Sequence, residues 1–176
     1  MDNRVVSLLR QAKMLVTDVD GVLTDGKISY TSDGQEIKSF HIQDGLGLKL
    51  LDRAGFEIAI ITGRTSPMVE RRAAELGIKH LVQGREDKCE ALLALANSLG
   101  YSLEQCIYVG DDLPDLAAVR ASGVGCSVAD AHPAVQESAD IVSQRAGGEG
   151  AMREICELIL QARGQLDDIL DEYLGQ

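Results

Sequence analysis

Asp18 and Asp20 lie two positions apart at the end of a short apolar run of the sequence. Residues two apart on an extended segment point to the same side, so both carboxylates can serve one reacting centre. One would act as a nucleophile that accepts a phosphoryl group, and the other as a general acid that protonates the leaving oxygen and then deprotonates water. The pair alone is weak evidence for this chemistry, because Asp is also common in surface loops.

Three more loops carry groups that phosphoryl transfer needs. Thr62 and Gly63 follow a second apolar run, and Lys88 stands where a helix is expected to begin. Their hydroxyl, amide and ammonium groups are suited to neutralise phosphoryl oxygens. A further apolar run is followed by the acidic residues Asp111, Asp112 and Asp115. Carboxylates that meet at one sheet edge repel each other, and oxygen-only ligands favour a hard cation, so the sequence predicts a Mg²⁺ site.

Each of these signals also has a structural reading. Thr62-Gly63 alone is commonly a turn, and Lys88 alone is commonly a solvated lysine. The segment 111–115 could cap a helix, with Asp112 or its neighbour as N-cap and Pro114 in the first turn. Their order favours chemistry, because four separate loops present a carboxylate pair, a hydroxyl, a lysine and an acidic cluster, each after an apolar run.

The apolar runs predict the elements that position these residues. Five short runs predict buried strands, namely 14–20, 56–64, 80–84, 106–112 and 124–128. Between them lie segments of helical period, which begin after Ser66, after Asp87 and near Pro114 and end near Gly77, Gly100 and Gly123. Strands that alternate with helices predict the α/β class, as a Rossmann-like three-layer fold with a mainly parallel sheet. In such a sheet, ligands bind beyond the carboxyl ends of the strands.

Two segments stand outside this alternation. The segment 27–42 alternates with period two around a turn at 32–35, which predicts a β-hairpin. In the tail, 147–176, the pattern after two glycines predicts two more helices. No linker or repeat divides the chain, so we predict a single domain over 1–176 in which the hairpin takes the place of a large cap domain.

Composition excludes several partners. The 176 residues are 45% hydrophobic and 26% charged, with a formal net charge of −11. This charge repels nucleic-acid backbones and anionic lipid, so neither is an expected partner. The sequence shows no signal peptide and no run near the ~18 apolar residues of a membrane span, so a cytoplasmic location is expected. Four cysteines lack zinc-ligand spacing and are expected to be buried thiols: Cys89, Cys106, Cys126 and Cys156.

The motifs resemble those of a known superfamily. DVDGVLTDG at 18–26, ITGR at 61–64, the Lys88 loop and VGDDLPD at 109–115 resemble, in that order, the four motifs of the haloacid-dehalogenase-like phosphatases. Within that superfamily, the hairpin, FHIQDGLGLKLL, VADAHP and GGEGAMRE resemble the 3-deoxy-D-manno-octulosonate 8-phosphate phosphatase family along nearly the whole chain. The resemblance implies a magnesium-dependent phosphatase of a phosphorylated sugar acid, acting through an aspartyl phosphate in lipopolysaccharide precursor synthesis.

The resemblance also implies roles for individual residues. Asp18 is the nucleophile and Asp20 the acid/base, while Asp18, the backbone carbonyl of Asp20 and Asp111 bind magnesium. The phosphate is held by Thr62, Gly63 and Lys88, with Asp112 and Asp115 in support. The sugar-acid contacts fall on His41, Ile42, Gln43, Asp44, Gly45, Lys49, Arg64 and Arg72.

Several alternatives remain open. Gln43 and Lys49 stand where the octulosonate family is expected to carry Arg, and Glu149 stands in a tail expected to read GGRG; a Glu there is similar to phosphatases of nonulosonate 9-phosphates. A receiver domain also gathers Asp, Thr and Lys, but its phosphorylated Asp follows the third strand, where this chain has Gln83-Gly84. A dehalogenase would not need Asp20. A non-catalytic phosphate-binding partner domain is the remaining alternative.

Two expectations concern assembly and the tail. A site covered only by a hairpin is open to water, and a lone hairpin exposes strand edges. By the resemblance, hairpins of several subunits join in a homotetramer, and each covers a neighbour's site. In the tail, Arg153 lies in the first turns of a helix, where the helix dipole disfavours a cation. Either a substrate carboxylate or a surface acid would compensate for that charge.

Overall fold

Six parallel strands form the central sheet of the computed structural model, which describes residues 2–175. The strands of the described residues are β1 (Met14–Thr17), β2 (Ser29–Tyr30), β3 (Glu36–Ile37), β4 (Glu57–Ile61), β5 (His80–Val82), β6 (Cys106–Gly110), β7 (Val124–Ser127) and β8 (Ile141–Val142). Their order across the sheet is β5-β4-β1-β6-β7-β8. All five predicted strands are confirmed. The sixth, β8, was not predicted, because two residues carry no readable period.

Helices connect the strands as predicted. They are α1 (Asn3–Gln11), α2 (Ile42–Arg53), α3 (Pro67–Leu76), α4 (Lys88–Ser98), α5 (Leu116–Ala121), α6 (Pro133–Ser138), α7 (Ala151–Ala162) and α8 (Leu166–Leu174). The predicted start after Ser66 is confirmed, since α3 begins at Pro67 and ends before Gly77 in the left-handed conformation. Near Pro114 the first turn is a 3₁₀ turn over Leu113–Asp115, and α5 follows it.

Two separate hydrophobic cores show that the fold has three layers. Along β1, Leu15 packs on one face of the sheet with α1, α2, α3 and α7. Its neighbours Met14 and Val16 pack on the other face with α4, α5 and α6. This alternation follows from the period of two along a strand. The predicted α/β three-layer fold with a parallel sheet is confirmed. All four cysteines are free thiols; Cys89 is half-buried, and the other three are buried as expected.

The hairpin consists of the antiparallel strands β2 and β3, which pair Ser29 with Ile37 and Tyr30 with Glu36. It confirms the predicted hairpin, although each strand is only two residues long. Among the described residues it forms the only strands between β1 and α2, so no large cap covers the sheet. The longest helices of the described residues have 12 residues, about 18 Å, and none could cross a bilayer.

Candidate active site

The loops that follow β1, β4 and β6 meet at the carboxyl edge of the sheet. Asp18, Thr62 and Asp111 are the first residues after these three strands, and β1 pairs with both of the other two. An open cleft of about 650 Å³ lies there. It is lined by all the predicted catalytic, metal, phosphate and supporting residues: Asp18, Asp20, Thr62, Gly63, Lys88, Asp111, Asp112 and Asp115. The joint order of the motifs in the sequence thus corresponds to one place in the fold.

A buried lysine joins two carboxylates at the floor of this cleft. The Nζ of Lys88 lies 2.7 Å from Oδ2 of Asp18 and donates a 2.7 Å hydrogen bond to Oδ1 of Asp115. The hydroxyl of Tyr108 donates to the same Asp115 oxygen at 2.8 Å. Because buried charges are costly unless they are paired, this arrangement holds each group in a fixed place. The pKa of Lys88 is raised, since Asp18 and Asp115 together outweigh the opposing effect of burial.

Asp115 also organises the loop that carries the acidic cluster. Its Oδ2 accepts hydrogen bonds from the backbone amides of Asp111 at 3.2 Å and Asp112 at 3.3 Å. The Asp112 side chain accepts from the amide of Leu113 at 2.8 Å, so it caps the 3₁₀ turn. The structural reading of this segment as a cap is therefore correct for Asp112, alongside its position at the cleft.

The acidic groups of the cleft fit a divalent cation. Carboxylate oxygens of Asp18, Asp111 and Asp115 lie within 4.8 Å of one another. Within the described residues, Oδ1 of Asp18 and Oδ1 of Asp111 are buried without a hydrogen-bond partner. Buried acceptors normally have a partner, so these two oxygens are suited to bind a cation. Both oxygens of Asp115 already accept hydrogen bonds. Asp18 and Asp111 are therefore the carboxylates that fit Mg²⁺. Asp115 binds Lys88 and the backbone amide of Asp111.

The pKa values of the two candidate ligands agree with this assignment. Burial, and then the charge of Asp115, raise the pKa of Asp18 to about 6 against the opposing effect of Lys88. Burial, followed by the charges of Asp115 and Asp18, raises the pKa of Asp111 to about 8. The ionised forms are thus unfavourable when no cation is present, and a bound cation reverses that preference.

Gly21 permits the close approach of two loops at the site. It has a φ of 94°, and a Cβ placed there would lie 2.0 Å from Oδ2 of Asp111. A side chain at this position would therefore displace the carboxylate of Asp111. The tail packs against the same turn. A Cβ on Gly147 would lie 1.8 Å from the carbonyl oxygen of Gly21. The amide of Gly148 donates a 2.9 Å hydrogen bond to the carbonyl of Val22.

The hairpin contributes charged residues that the sequence analysis missed. Lys38 forms an ion pair with Oδ1 of Asp20, and Glu36 accepts hydrogen bonds from Arg64 at 3.0 and 3.1 Å. The sequence signal available was the period of two, which places Glu36 and Lys38 on one face of β3 and its extension. It did not reveal which face is turned to the cleft. The hairpin therefore contacts the site of its own chain.

Comparisons with known proteins agree with this geometry. Residues 80–155 match the model of the haloacid dehalogenase-like hydrolase family. The chain is 44% identical over 164 residues to 3-deoxy-D-manno-octulosonate 8-phosphate phosphatase of Escherichia coli K12, covering 93% of this chain and 87% of that protein. The Haemophilus influenzae enzyme of the same name is 46% identical over 157 residues, with 89% and 87% covered. The chain belongs to the 3-deoxy-D-manno-octulosonate 8-phosphate phosphatase family.

Solved structures of this family have the same fold. The Moraxella catarrhalis phosphatase, solved with magnesium ion, phosphate ion and a KDO molecule, superposes with a TM-score of 0.96 at 47% identity, covering 98% of this chain and 99% of that one. The cobalt-bound H. influenzae phosphatase superposes with a TM-score of 0.87 at 45% identity, covering 90% and 93%. KDO denotes 3-deoxy-D-manno-octulosonate. These structures share the arrangement of strands and loops on which the cleft is built.

Most of the sugar-acid contacts implied by the family resemblance lie elsewhere in a single chain. Among the described residues that line the cleft, only Arg64 belongs to that set. The residues outside it are His41, Ile42, Gln43, Asp44, Gly45, Lys49 and Arg72. Six of them lie on α2 or directly before it, and α2 packs against α7. Gln43 and Lys49 are exposed, and Ile42 is 83% exposed. Their assignment as sugar-acid contacts stays a prediction, because it was made for an assembly of several subunits and a single chain does not test it.

Arg72 and Asp44 have partners within the chain. The guanidinium of Arg72 lies 5.8 Å from the centre of the Phe40 ring, and it borders a small recess with His41, Asp44 and Gly45. Oδ1 of Asp44 accepts a 2.8 Å hydrogen bond from the backbone amide of Arg153, in the first turn of α7. Burial raises the pKa of Asp44 against this hydrogen bond. Asp44 thus caps a helix whose own N-cap residue has no side chain.

The compensating charge for Arg153 is also within the chain. Its Nε donates to Glu157 at 2.6 Å, one helical turn further on. Asp44 supplies a second negative charge at the same helix end. A protein acid therefore lies beside Arg153, and its contact with a substrate carboxylate stays a prediction.

Replacing Asp44 tests its capping role. Asp44→Ala is expected to lower stability by about 1 kcal/mol, because the α7 amide loses its acceptor, whereas Asp44→Asn keeps an acceptor oxygen and loses less. This corresponds to a fall in Tm of about 2–4 °C, measurable by thermal unfolding. Asp52 is an exposed residue of α2, the helix that carries Asp44. Asp52→Ala is therefore the matched control and should change Tm little. A changed KM for the sugar phosphate with an unchanged Tm would instead support a sugar contact.

Proposed function

We propose that this protein hydrolyses 3-deoxy-D-manno-octulosonate 8-phosphate to the free sugar acid and inorganic phosphate, with Mg²⁺ as cofactor. The observation that carries the proposal is the buried Asp18, paired with Lys88 at 2.7 Å and left with one unpartnered oxygen beside that of Asp111. The substrate is supported by the 47% identical M. catarrhalis phosphatase, which was solved with magnesium, phosphate and KDO. The product would serve lipopolysaccharide precursor synthesis, and the cytoplasmic location stays a prediction.

The residues of the cleft divide the reaction between them. Thr62, Gly63 and Lys88 hold the phosphate oxygens. A carboxylate oxygen of Asp18 bonds to phosphorus while the bond to the sugar oxygen breaks, and Asp20 gives its proton to that oxygen. Asp20 then removes a proton from water, which attacks phosphorus and frees Asp18. Asp18, Asp111 and the backbone carbonyl of Asp20 would hold Mg²⁺, which would supply positive charge to the phosphoryl oxygens.

A substrate panel tests the proposal. Phosphate release is measured with Mg²⁺ on the octulosonate 8-phosphate, a nonulosonate 9-phosphate and small neutral sugar phosphates. We expect the highest kcat/KM for the eight-carbon acid, by about tenfold or more over the others. A higher value for the nine-carbon acid would favour the alternative substrate. Release from none of them would favour a non-catalytic phosphate-binding domain.

We also propose the homotetramer, with the hairpin and the start of α2 as an interface. Large apolar side chains are exposed on the hairpin and on the following helix, namely Ile28, Tyr30, Ile37, Ile42 and Leu46. Such a group of exposed side chains is typical of an interaction surface, and a two-stranded hairpin is marginal alone. As expected by the resemblance, each hairpin would cover a neighbour's site. Ile37 lies on the face opposite Glu36, which binds Arg64 of the same chain, so Ile37 is available for contact with a neighbour.

Sedimentation tests the tetramer. Wild-type protein is expected to sediment at four times the 18.9 kDa of one chain. Ile37→Asp should yield smaller species, because it places a charge in the interface. Leu93→Asp changes an exposed leucine of α4, far from the hairpin in sequence, and should leave the tetramer intact. A fully active wild-type monomer at micromolar concentration would contradict the proposal.

A further inference from the structure

Lys38 is a buried cation that the proposed reaction does not use. It lies in the hairpin segment, just after β3, yet only 2% of its side chain is exposed. Lysine is almost never buried to this extent unless its charge is paired. Its Nζ contacts Oδ1 of Asp20 and lies 3.4 Å from Oε1 of Glu36. Two carboxylates therefore compensate for the burial of one ammonium group, and one of them lines the cleft.

The surrounding contacts fix Lys38 in this place. Glu36 stands two residues before it, on the same side of the extended segment, and accepts two hydrogen bonds from Arg64. The other oxygen of Asp20, Oδ2, lies 4.0 Å from Nε of Arg64, which is itself a cleft residue. One oxygen of Asp20 is thus held by the hairpin, and the other is directed towards the cleft side occupied by Arg64.

We propose that Lys38 is a positioning residue for Asp20. By holding one carboxylate oxygen, it keeps the other directed towards the oxygen of the leaving sugar. The inference rests on the proposed function, in which Asp20 gives a proton to that oxygen. A side chain on a surface loop samples several rotamers, and proton transfer requires the donor within about 3 Å of the acceptor. The hairpin thereby acts on the chemistry of its own chain through one lysine.

Two leaving groups separate positioning from simple support of the fold. The value of kcat/KM reports the steps up to loss of the leaving group. A sugar alkoxide needs a proton in that step, whereas a stabilised aryl oxide such as that of p-nitrophenyl phosphate does not. Lys38→Met is expected to lower kcat/KM about a hundredfold for the sugar phosphate, the size of a general-acid contribution. For the aryl phosphate, the expected loss is about threefold or less.

Matched variants complete the experiment. Lys38→Arg keeps the charge and should recover most of the activity on the sugar phosphate. Lys27→Met changes an exposed lysine of the same segment, paired with Asp25, and should leave both substrates unaffected. Thermal unfolding is recorded for every variant, and Lys38→Gln replaces Lys38→Met if the latter does not fold. Equal losses on both substrates, or no loss on either, would overturn the inference.

The choice of sugar phosphate keeps this test separate from the proposed function. The alkyl substrate is whichever sugar phosphate the wild type hydrolyses best in the panel described above. If that is not the octulosonate 8-phosphate, the proposed substrate is wrong, yet the comparison of alkyl and aryl leaving groups still decides the role of Lys38.

Discussion

Asp18→Asn is expected to lower kcat by about 10⁴-fold or more, the loss found when an enzyme's nucleophile is removed. The amide that replaces the carboxylate is a poor nucleophile and cannot form the acyl phosphate. Steady-state phosphate release measures the loss, and trapping of phosphoenzyme should label the wild type and not the variant. Asp52→Asn, an exposed position on α2, serves as the control for the loss of one negative charge. Turnover near that of the wild type would contradict the assignment of the nucleophile.

The same substitution has an expected effect on stability. The folded state raises the pKa of Asp18 from 3.8 to about 6, so ionised Asp18 lowers the stability of the folded state at neutral pH. Asn at position 18 removes the negative charge that Asp115 repels, and it keeps a polar group near Lys88. Without Mg²⁺, Asp18→Asn is therefore expected to have a Tm equal to or above that of the wild type. A large fall in Tm would show that the ion pair with Lys88 dominates the balance.

Removal of magnesium is expected to abolish activity and to lower Tm. Excess EDTA should stop phosphate release, and added Mg²⁺ should restore it. A ligand present at a hundred times its Kd stabilises the folded state by about 2.7 kcal/mol. For a chain of this length that corresponds to a rise in Tm of about 5–10 °C. Full activity in excess EDTA would contradict the metal assignment.

The magnesium effect should depend on pH in a defined direction. In the absence of metal, folding raises the pKa of Asp18 to about 6 and of Asp111 to about 8, both from 3.8. A raised pKa favours the folded state at low pH, and this contribution is lost as pH rises through the folded values. Metal-free stability should therefore decrease between about pH 4 and pH 8 through these two groups.

Bound Mg²⁺ competes with those protons, so its stabilising effect should be larger at pH 8 than at pH 6. The measurement is Tm with and without Mg²⁺ across this interval. Asp111→Asn should flatten both the metal-free decrease and the magnesium response. A magnesium shift that stays constant with pH would contradict the proposed ligands.

The sequence predicted the parts of the site that depend on strand ends. Asp18, Thr62 and Asp111 each follow a strand directly, and neighbouring parallel strands bring such positions together without further information. The position of Lys88 was also predicted, because a helix that follows a parallel strand begins at the same carboxyl edge of the sheet. The strand pattern thus contained both the fold class and the set of residues that line the cleft.

The missing parts are contacts between elements that are distant in the chain. The ion pair of Lys38 with Asp20 depends on which face of the hairpin turns inward. The hydrogen bond of Tyr108 to Asp115 depends on how β6 is buried against the loop that follows it. The cap of Asp44 on α7 joins residues 109 positions apart. No local period encodes these contacts. The sugar-acid residues were assigned by family resemblance alone, which carries no information about their distance from the cleft.

The contact of Gly147 and Gly148 with the turn that follows Asp20 has a consequence for biosynthesis. The two segments lie about 125 residues apart, and the amide of Gly148 binds the carbonyl of Val22. During translation the turn emerges before the segment that packs against it. The amides of 22–24 donate within the turn, to the carbonyl of Val19, whereas the amide of Gly148 donates across to Val22. In stalled nascent chains we therefore expect the Gly148 amide to gain protection from hydrogen exchange only when both segments have left the exit tunnel. Until then the turn lacks this support.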